Sequence, residues 1–122
     1  MKIRIKGNSI RIRLTKPEVD HFGEKGYIEE QTEFGKTTLT YALKTVDGNS
    51  FSASFENNTI SMLLPKTMTE EWVKTNRVGF EGAMPVGNGK SLYLLLEKDF
   101  KCLDESIEDQ SDNYDNPLAA KH

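Results

Sequence analysis

The sequence predicts an α+β fold, with a mostly antiparallel sheet or half-barrel of about eight strands and two short helices. Apolar and polar residues alternate strictly over residues 2–6 and 10–14, as in half-buried strands. Gly- and Asn-rich turns separate most of the later apolar stretches. Only two segments combine helix-capping signals with apolar residues three or four positions apart. Strands should therefore outnumber helices.

The first two strands form a predicted hairpin across the turn at residues 7–9. A helix of about two turns follows, with a capping box at Thr15 and Glu18. Asp47-Gly48 is a two-residue hairpin signal between two of the next strands. Because these connections are short, neighbouring strands are expected to pair antiparallel, as a meander. The four strand candidates after the first helix are residues 27–32, 37–45, 50–55 and 59–64.

The second helix begins near Pro65, where Thr67 and Glu70 match another capping box. Beyond it the sequence predicts a strand over residues 77–81, a Gly-rich loop over 82–90 and a strongly apolar strand over 91–98. The predicted core contains Ile10, Ile12, Leu14, Phe22, Leu39, Tyr41, Phe55, Ile60, Met62, Trp72, Val78, Phe80, Leu92, Leu94 and Leu96.

Two segments fifty residues apart share a pattern. Ser9-Ile10-x-Ile12-x-Leu14-Thr15-Lys16 aligns with Thr59-Ile60-x-Met62-x-Leu64-Pro65-Lys66. A short helix with one large aromatic residue, Phe22 or Trp72, follows each of them. We hypothesise a duplicated strand–helix–strand–strand unit. The alternative is a coincidence between two ordinary strand–helix junctions.

The last twenty residues differ from the rest in charge. Residues 103–122 hold six acids against one lysine, a formal charge of −5, which leaves +2 on residues 1–102. The segment has no periodicity and little apolar surface with which to offset the entropy of ordering. We therefore expect one α+β domain over residues 1–102 and an acidic, partly disordered tail over 103–122.

Cysteine usage bears on the compartment. Cys102 is the single cysteine, so no disulfide can form within the chain. A lone thiol suits a reducing compartment, and the charged opening stretch does not resemble a signal peptide. The longest apolar run, residues 92–96, is far too short for a bilayer. A cytoplasmic protein without membrane contact is expected.

The opening hairpin places its cations on one face, because side chains alternate along a strand. Those residues, the candidate ligand-binding set, are Lys2, Arg4, Lys6, Arg11 and Arg13. They suit a phosphorylated small ligand, whereas nucleic acid is disfavoured by the net charge of −3 and by the lack of interleaved aromatic residues. The alternative is a solvated face, neutralised by cross-strand Glu29, Glu30 and Glu33.

The acidic tail supplies the candidate metal ligands, since carboxylate oxygens bind Ca²⁺ and Mg²⁺. These residues are Glu108, Asp109, Asp112 and Asp115. Their spacing does not match an EF-hand, so a plain solvating tail, or a tail folded over the basic hairpin, is the alternative. A divalent cation is the one cofactor considered, and no other is predicted.

Several segments together resemble an uncharacterised family of short bacterial cytosolic proteins. They are Met1-Lys2-Ile3-Arg4-x-Lys6-Gly7-Asn8-Ser9-Ile10-Arg11, Thr32-Glu33-Phe34-Gly35, Ala53-Ser54-Phe55 with Ile60, Pro65-Lys66 with Trp72, and Phe100-Lys101-Cys102-Leu103 with Glu108-Asp109-x-Ser111-Asp112-Asn113 and Asn116-Pro117. The resemblance spans nearly the whole chain and implies a bacterial cytosolic protein. It implies no activity.

Two classes of function fit these observations. The first is a small non-enzymatic binding or interaction protein, because no catalytic constellation is visible. The second is a phosphate- or divalent-metal-dependent small enzyme that uses the basic strands and the acidic tail. The partner is then a small anionic ligand or another protein. An exposed edge strand would also allow a homodimer.

Overall fold

The computed structural model describes residues 1–100 as eight strands and two helices. In chain order they are β1 (Lys2–Lys6), β2 (Ser9–Leu14), α1 (Lys16–Lys25), β3 (Tyr27–Glu33), β4 (Thr38–Val46), β5 (Ser52–Glu56), β6 (Thr59–Pro65), α2 (Lys66–Lys74), β7 (Gly79–Gly87) and β8 (Lys90–Lys98). The predicted α+β class, the eight strands and the two helices are confirmed.

The strands form two four-stranded sheets. Sheet A has the order β1-β2-β8-β7 and sheet B the order β3-β4-β6-β5. Four of the pairings are antiparallel, but the central pairs β2–β8 and β4–β6 are parallel. The expected meander is therefore wrong at Asp47-Gly48, because β4 does not pair with β5. Instead, each sheet joins one hairpin from the first half of the chain to one from the second.

Each strand of sheet A has a counterpart in sheet B, and the two sets of strands pair in the same register. In sheet A, Ile3, Ile12, Leu96 and Phe80 lie side by side across the four strands. The matching row in sheet B is Ala53, Met62, Leu43 and Ile28. β1, β2, β7 and β8 thus correspond in order and register to β5, β6, β3 and β4.

One hydrophobic core lies between the sheets and beneath the helices. The helices begin where β2 and β6 end, and their buried aromatic residues Phe22 and Trp72 pack edge to face, with ring centroids 6.2 Å apart. The Trp72 indole N–H donates to the carbonyl oxygen of Val78 at 2.9 Å. At Thr15, the backbone N–H donates to Glu18 Oε1 at 2.8 Å, as the first capping box predicts.

Four local predictions are wrong. Phe55 and Val78 are 69% and 50% exposed, because Phe55 lies on an edge strand and Val78 precedes β7. The expected loop over residues 82–90 is instead mostly strand, ending in a tight turn at Asn88 and Gly89 with positive φ angles. Helix α2 begins directly after Pro65, so Thr67 lies inside the helix and does not cap it.

Candidate functional site

The five predicted ligand-binding residues lie on the outer face of sheet A. Lys2 pairs with Arg13, and Arg4 pairs with Arg11, in the β1–β2 register. The residues between them, such as Ile3 and Ile12, point into the core. The fold therefore brings Lys2, Arg4, Lys6, Arg11 and Arg13 together, and we call this surface the basic face.

The neutralising acid on the basic face is Glu97 of β8. Its Oε1 lies 3.4 Å from the Nε atoms of both Arg11 and Arg13. Glu29, Glu30 and Glu33, expected to lie opposite these cations, belong instead to strand β3 of sheet B. That expectation is wrong because β2 pairs with the distant β8, a contact that local patterns do not reveal.

Charge is not balanced on this face. Besides Glu97 it carries Glu81 of β7, which lies beside Leu95, and Asp99, whose Oδ2 lies 3.2 Å from Lys2 Nζ. Five cations and three carboxylates leave a formal charge of +2. Within residues 1–100, Arg4 and Lys6 take part in no ion pair.

A small hollow lies at the end of the basic face that carries Arg4 and Lys6, the two cations of this face without an ion pair within residues 1–100. Its volume is about 230 Å³, and it is lined by Arg4, Lys6, Ser9, Arg11 and Leu95. Within this lining, Ser9 Oγ donates to the Lys6 carbonyl oxygen at 2.8 Å, and the adjacent Asn8 donates its Nδ2 to the Ser91 carbonyl oxygen at 2.7 Å. The cations thus surround a recess supported by regular backbone.

Besides Glu97, sequence reasoning missed Tyr93 of this face. It pairs with Ser9, on the same side of the sheet as Arg11 and Leu95, and is 56% exposed. The alternation within β8 shows that Tyr93 faces away from buried Leu94, but not which strand lies beside it. No aromatic residue interleaves the cations within β1 and β2, but Tyr93 of the neighbouring strand β8 lies beside them. Tyr93 offers both a ring face and a hydroxyl group.

A larger groove adjoins the basic face at Lys2. It has a volume of about 1020 Å³ and lies between the start of α1, the end of α2 and the residues after β8. Its lining comprises Lys2, Thr15, Lys16, Pro17, Val19, Asp20, Val73, Lys74, Thr75, Asn76, Lys98, Asp99 and Phe100. We call it the helix groove.

Four lysines and two aspartates line the helix groove. Lys2 Nζ lies 3.2 Å from Asp99 Oδ2, and Lys16 Nζ lies 3.6 Å from Asp20 Oδ2. Lys98 Nζ donates to the Thr75 carbonyl oxygen at 2.8 Å. Neither Lys74 nor Lys98 has a carboxylate partner within the described residues.

The start of β1 is held by an ion cluster. The α-ammonium group of Met1 contacts Glu18 of α1 and lies 2.8 Å from Glu30 Oε2 of β3. Burial disfavours the charged ammonium, but hydrogen bonds to Glu18 and Glu30 outweigh it and raise the pKa of Met1. Burial likewise opposes the charge on Glu18, but the bonds from Met1 and Thr15 outweigh it and lower the pKa of Glu18. This cluster ties the first strand of the basic face to the rest of the fold.

The predicted metal ligands Glu108, Asp109, Asp112 and Asp115 lie outside the described residues, as does Cys102. Within residues 1–100, no three His, Cys, Asp or Glu side chains are grouped so that they could hold a metal ion. Neither described helix has the length and apolar character needed to cross a bilayer.

A family model matches residues 1–118, which is nearly the whole chain. The chain belongs to DUF7009, a family of unknown function. The DUF7009 match includes both the basic face and most of the acidic tail. No curated protein and no solved structure matches the chain.

Proposed function

We propose that this protein is a small non-enzymatic binding protein that holds a phosphate-bearing ligand on the basic face. The observation that carries the proposal is a comparison between the two sheets. The positions of sheet B that correspond in register to Lys2, Arg4, Lys6, Arg11 and Arg13 are Ser52, Ser54, Glu56, Ser61 and Leu63. The same strand arrangement thus forms in sheet B without cations at these positions, so the strand pairing itself does not call for them.

The arrangement of the cations also opposes stability. Like charges directly opposite each other across two strands are destabilising, and both Lys2–Arg13 and Arg4–Arg11 are such pairs. A bound anion would relieve this repulsion. Glu97 and Asp99 partly offset this repulsion at Arg11, Arg13 and Lys2, but Arg4 and Lys6 have no such partner within residues 1–100. The uncompensated charge of Arg4 and Lys6 favours a binding role.

The hollow suits one phosphate group in chemistry and in size. Arg4 and Arg11 would each offer a planar guanidinium that donates to two oxygens, while Lys6 would add a point charge. Tyr93 on the same face would contact the part of the ligand that carries the phosphate. With one aromatic residue and a net charge of −3 on the chain, a small ligand fits better than nucleic acid.

The proposed cellular location and the alternative function as an enzyme rest on the sequence. The lone Cys102 and the resemblance to short bacterial proteins support a location in the bacterial cytoplasm. An enzyme that uses the basic strands with a metal held by the acidic tail stays a prediction, because its acids lie outside the described residues.

The test uses inorganic pyrophosphate as the probe and thermal unfolding as the measurement. A ligand at ten times its Kd stabilises the native state by about 1.4 kcal/mol, which raises the Tm of a domain of this size by roughly 5–10 °C. Substituting Arg4→Ser and Arg11→Ser together should abolish this shift. Serine is chosen because Ser54 and Ser61 occupy the corresponding positions of sheet B.

The matched control is Lys44→Ser, which removes a cation from the outer face of sheet B. It should leave the pyrophosphate shift intact. Without pyrophosphate, the double variant should stay within about 1 kcal/mol of the parent, because relief of the Arg4–Arg11 repulsion offsets loss of the part-exposed Arg11–Glu97 ion pair. An equal shift in the parent and the double variant, or none in the parent at millimolar pyrophosphate, would contradict the proposal.

A further inference from the structure

The helix groove lies where the described chain ends. Lys98, Asp99 and Phe100 form one of its walls. The Asp99 backbone N–H donates to the Leu14 carbonyl oxygen at 2.8 Å, so the chain is still held against the fold at this point. The described part of the chain therefore ends at the groove.

The surface of the groove is both basic and apolar. Lys74 and Lys98 lack carboxylate partners within residues 1–100, whereas Lys2 pairs with the largely buried Asp99 and Lys16 with the exposed Asp20. Between the lysines lie Pro17, Val19 and Val73, and Phe100 beside them is 58% exposed. A suitable occupant carries carboxylates interspersed with apolar side chains.

The segment that follows the groove has this composition. Residues 103–118 contain six acids, namely Asp104, Glu105, Glu108, Asp109, Asp112 and Asp115, and the apolar residues Leu103, Ile107, Tyr114 and Leu118. Eighteen residues from 101 to 118 can extend roughly 60 Å, at about 3.3 Å per residue, so reach is not limiting. The family match also continues to residue 118, which makes the segment part of the matched unit.

We propose that the acidic segment 103–118 of this same chain docks in the helix groove. Its carboxylates lie against the groove lysines, and its apolar side chains cover Val73 and Phe100. Because Lys2 belongs to both surfaces, the docked segment borders the basic face without covering the hollow around Arg4 and Arg11.

Paramagnetic relaxation in the full-length protein tests this placement. In a Cys102→Ser/Ser111→Cys variant, a nitroxide on the single thiol places the probe in the middle of the segment. Backbone amides of Asp20 and Thr75, at the groove, should lose most of their intensity. Amides of the turns at Gly35 and Gly87, at the opposite ends of β3 and β7, should keep theirs.

A matched pair of charge reversals separates docking from general attraction. Lys16→Glu with Lys74→Glu, in the groove, should restore the lost amide intensity. Lys25→Glu with Lys66→Glu makes the same charge change at the other ends of the two helices, outside the groove, and should not restore it.

Three outcomes would overturn the proposal. The first is strongest broadening at Arg4 and Arg11, which would place the segment over the basic face. The second is uniform or absent broadening. The third is equal broadening in a mixture of isotope-labelled protein without nitroxide and unlabelled protein with it, which would mean docking between two copies. None of these outcomes depends on pyrophosphate binding, so this test is independent of the proposed function.

Discussion

At the scale of single residues, the ion cluster at Met1 links three elements through one ammonium group. Its raised pKa means that the charged ammonium stabilises the fold below about pH 8 and that this contribution is lost as pH rises through the folded-state pKa. The lowered pKa of Glu18 acts in the opposite sense. Its contribution is present above about pH 4.5 and is lost as pH falls through the folded-state pKa.

Glu30→Gln should lower the free energy of unfolding at pH 7, because it removes one carboxylate partner of the ammonium. Glu30 is 43% exposed, so we expect a loss of at most about 1 kcal/mol. The difference between Glu30→Gln and the parent should shrink between pH 7 and pH 10, as the ammonium loses its proton. Urea unfolding at the two pH values measures both effects.

The control for this prediction is Glu33→Gln, at an exposed position of the same strand where the carboxylate has no hydrogen-bond or ion-pair partner within residues 1–100. It removes an equal charge without touching Met1. Equal losses of stability in the two variants would mean that the cluster contributes nothing beyond net charge.

The sequence predicted most of the basic face because alternation within β1 and β2 determines which side chains share a side. It could not predict Glu97 or Tyr93, since their place depends on a parallel pairing between residues about 84 positions apart. The helix groove was not predicted for the same reason. Its walls come from both ends of the described chain and from the ends of both helices.

At the scale of elements, strand β7 approaches β8 unusually closely at its first residue. A Cβ atom on Gly79 would lie 1.9 Å from the carbonyl oxygen of Leu96, a backbone atom that cannot rotate away. Further along the same strand, a Cβ on Gly82 would lie 3.1 Å from a ring carbon of Phe51, which is a side chain and can adjust.

Gly79→Ala should therefore destabilise the protein by about 3 kcal/mol, the upper range for overpacking. Gly82→Ala should change stability by less than about 1 kcal/mol, because the gain in strand propensity offsets a small clash. Chemical denaturation of both variants compares them directly. Similar values would show that the start of β7 can move away from β8.

The sequence predicted whether a segment forms a strand or a helix where neighbouring residues alone determine the structure. The β1–β2 hairpin and the capping box at Thr15 depend on neighbouring residues, and both are confirmed. Asp47-Gly48 carries a strong local hairpin signal but joins strands of the same sheet that do not pair with each other. There β4 pairs instead with β6, which shows how tertiary contacts override turn propensity.

At the scale of the whole molecule, neither half of the chain forms a sheet alone. The first half supplies β1 and β2 to sheet A and β3 and β4 to sheet B, and the second half supplies the remaining hairpin of each. The matched strand order and registers are those that a duplicated unit would have, and the duplication itself stays a hypothesis. They also imply that the two halves stabilise each other, because separating them would unpair the parallel centre of both sheets.

This interleaving predicts that the described fold unfolds as one cooperative unit. Ile10 and Ile60 are corresponding core residues, 9% and 7% exposed, one in each sheet. Ile10→Val and Ile60→Val should each cost about 1 kcal/mol and lower the protection of the slowest-exchanging amides roughly fivefold. Native-state hydrogen exchange should show that decrease in β2 and β6 and in their parallel partners β8 and β4, whichever of the two isoleucines is changed. If Ile60→Val lowered protection only in sheet B while Ile10→Val lowered it only in sheet A, the sheets would unfold separately and the parallel pairs would not couple the halves.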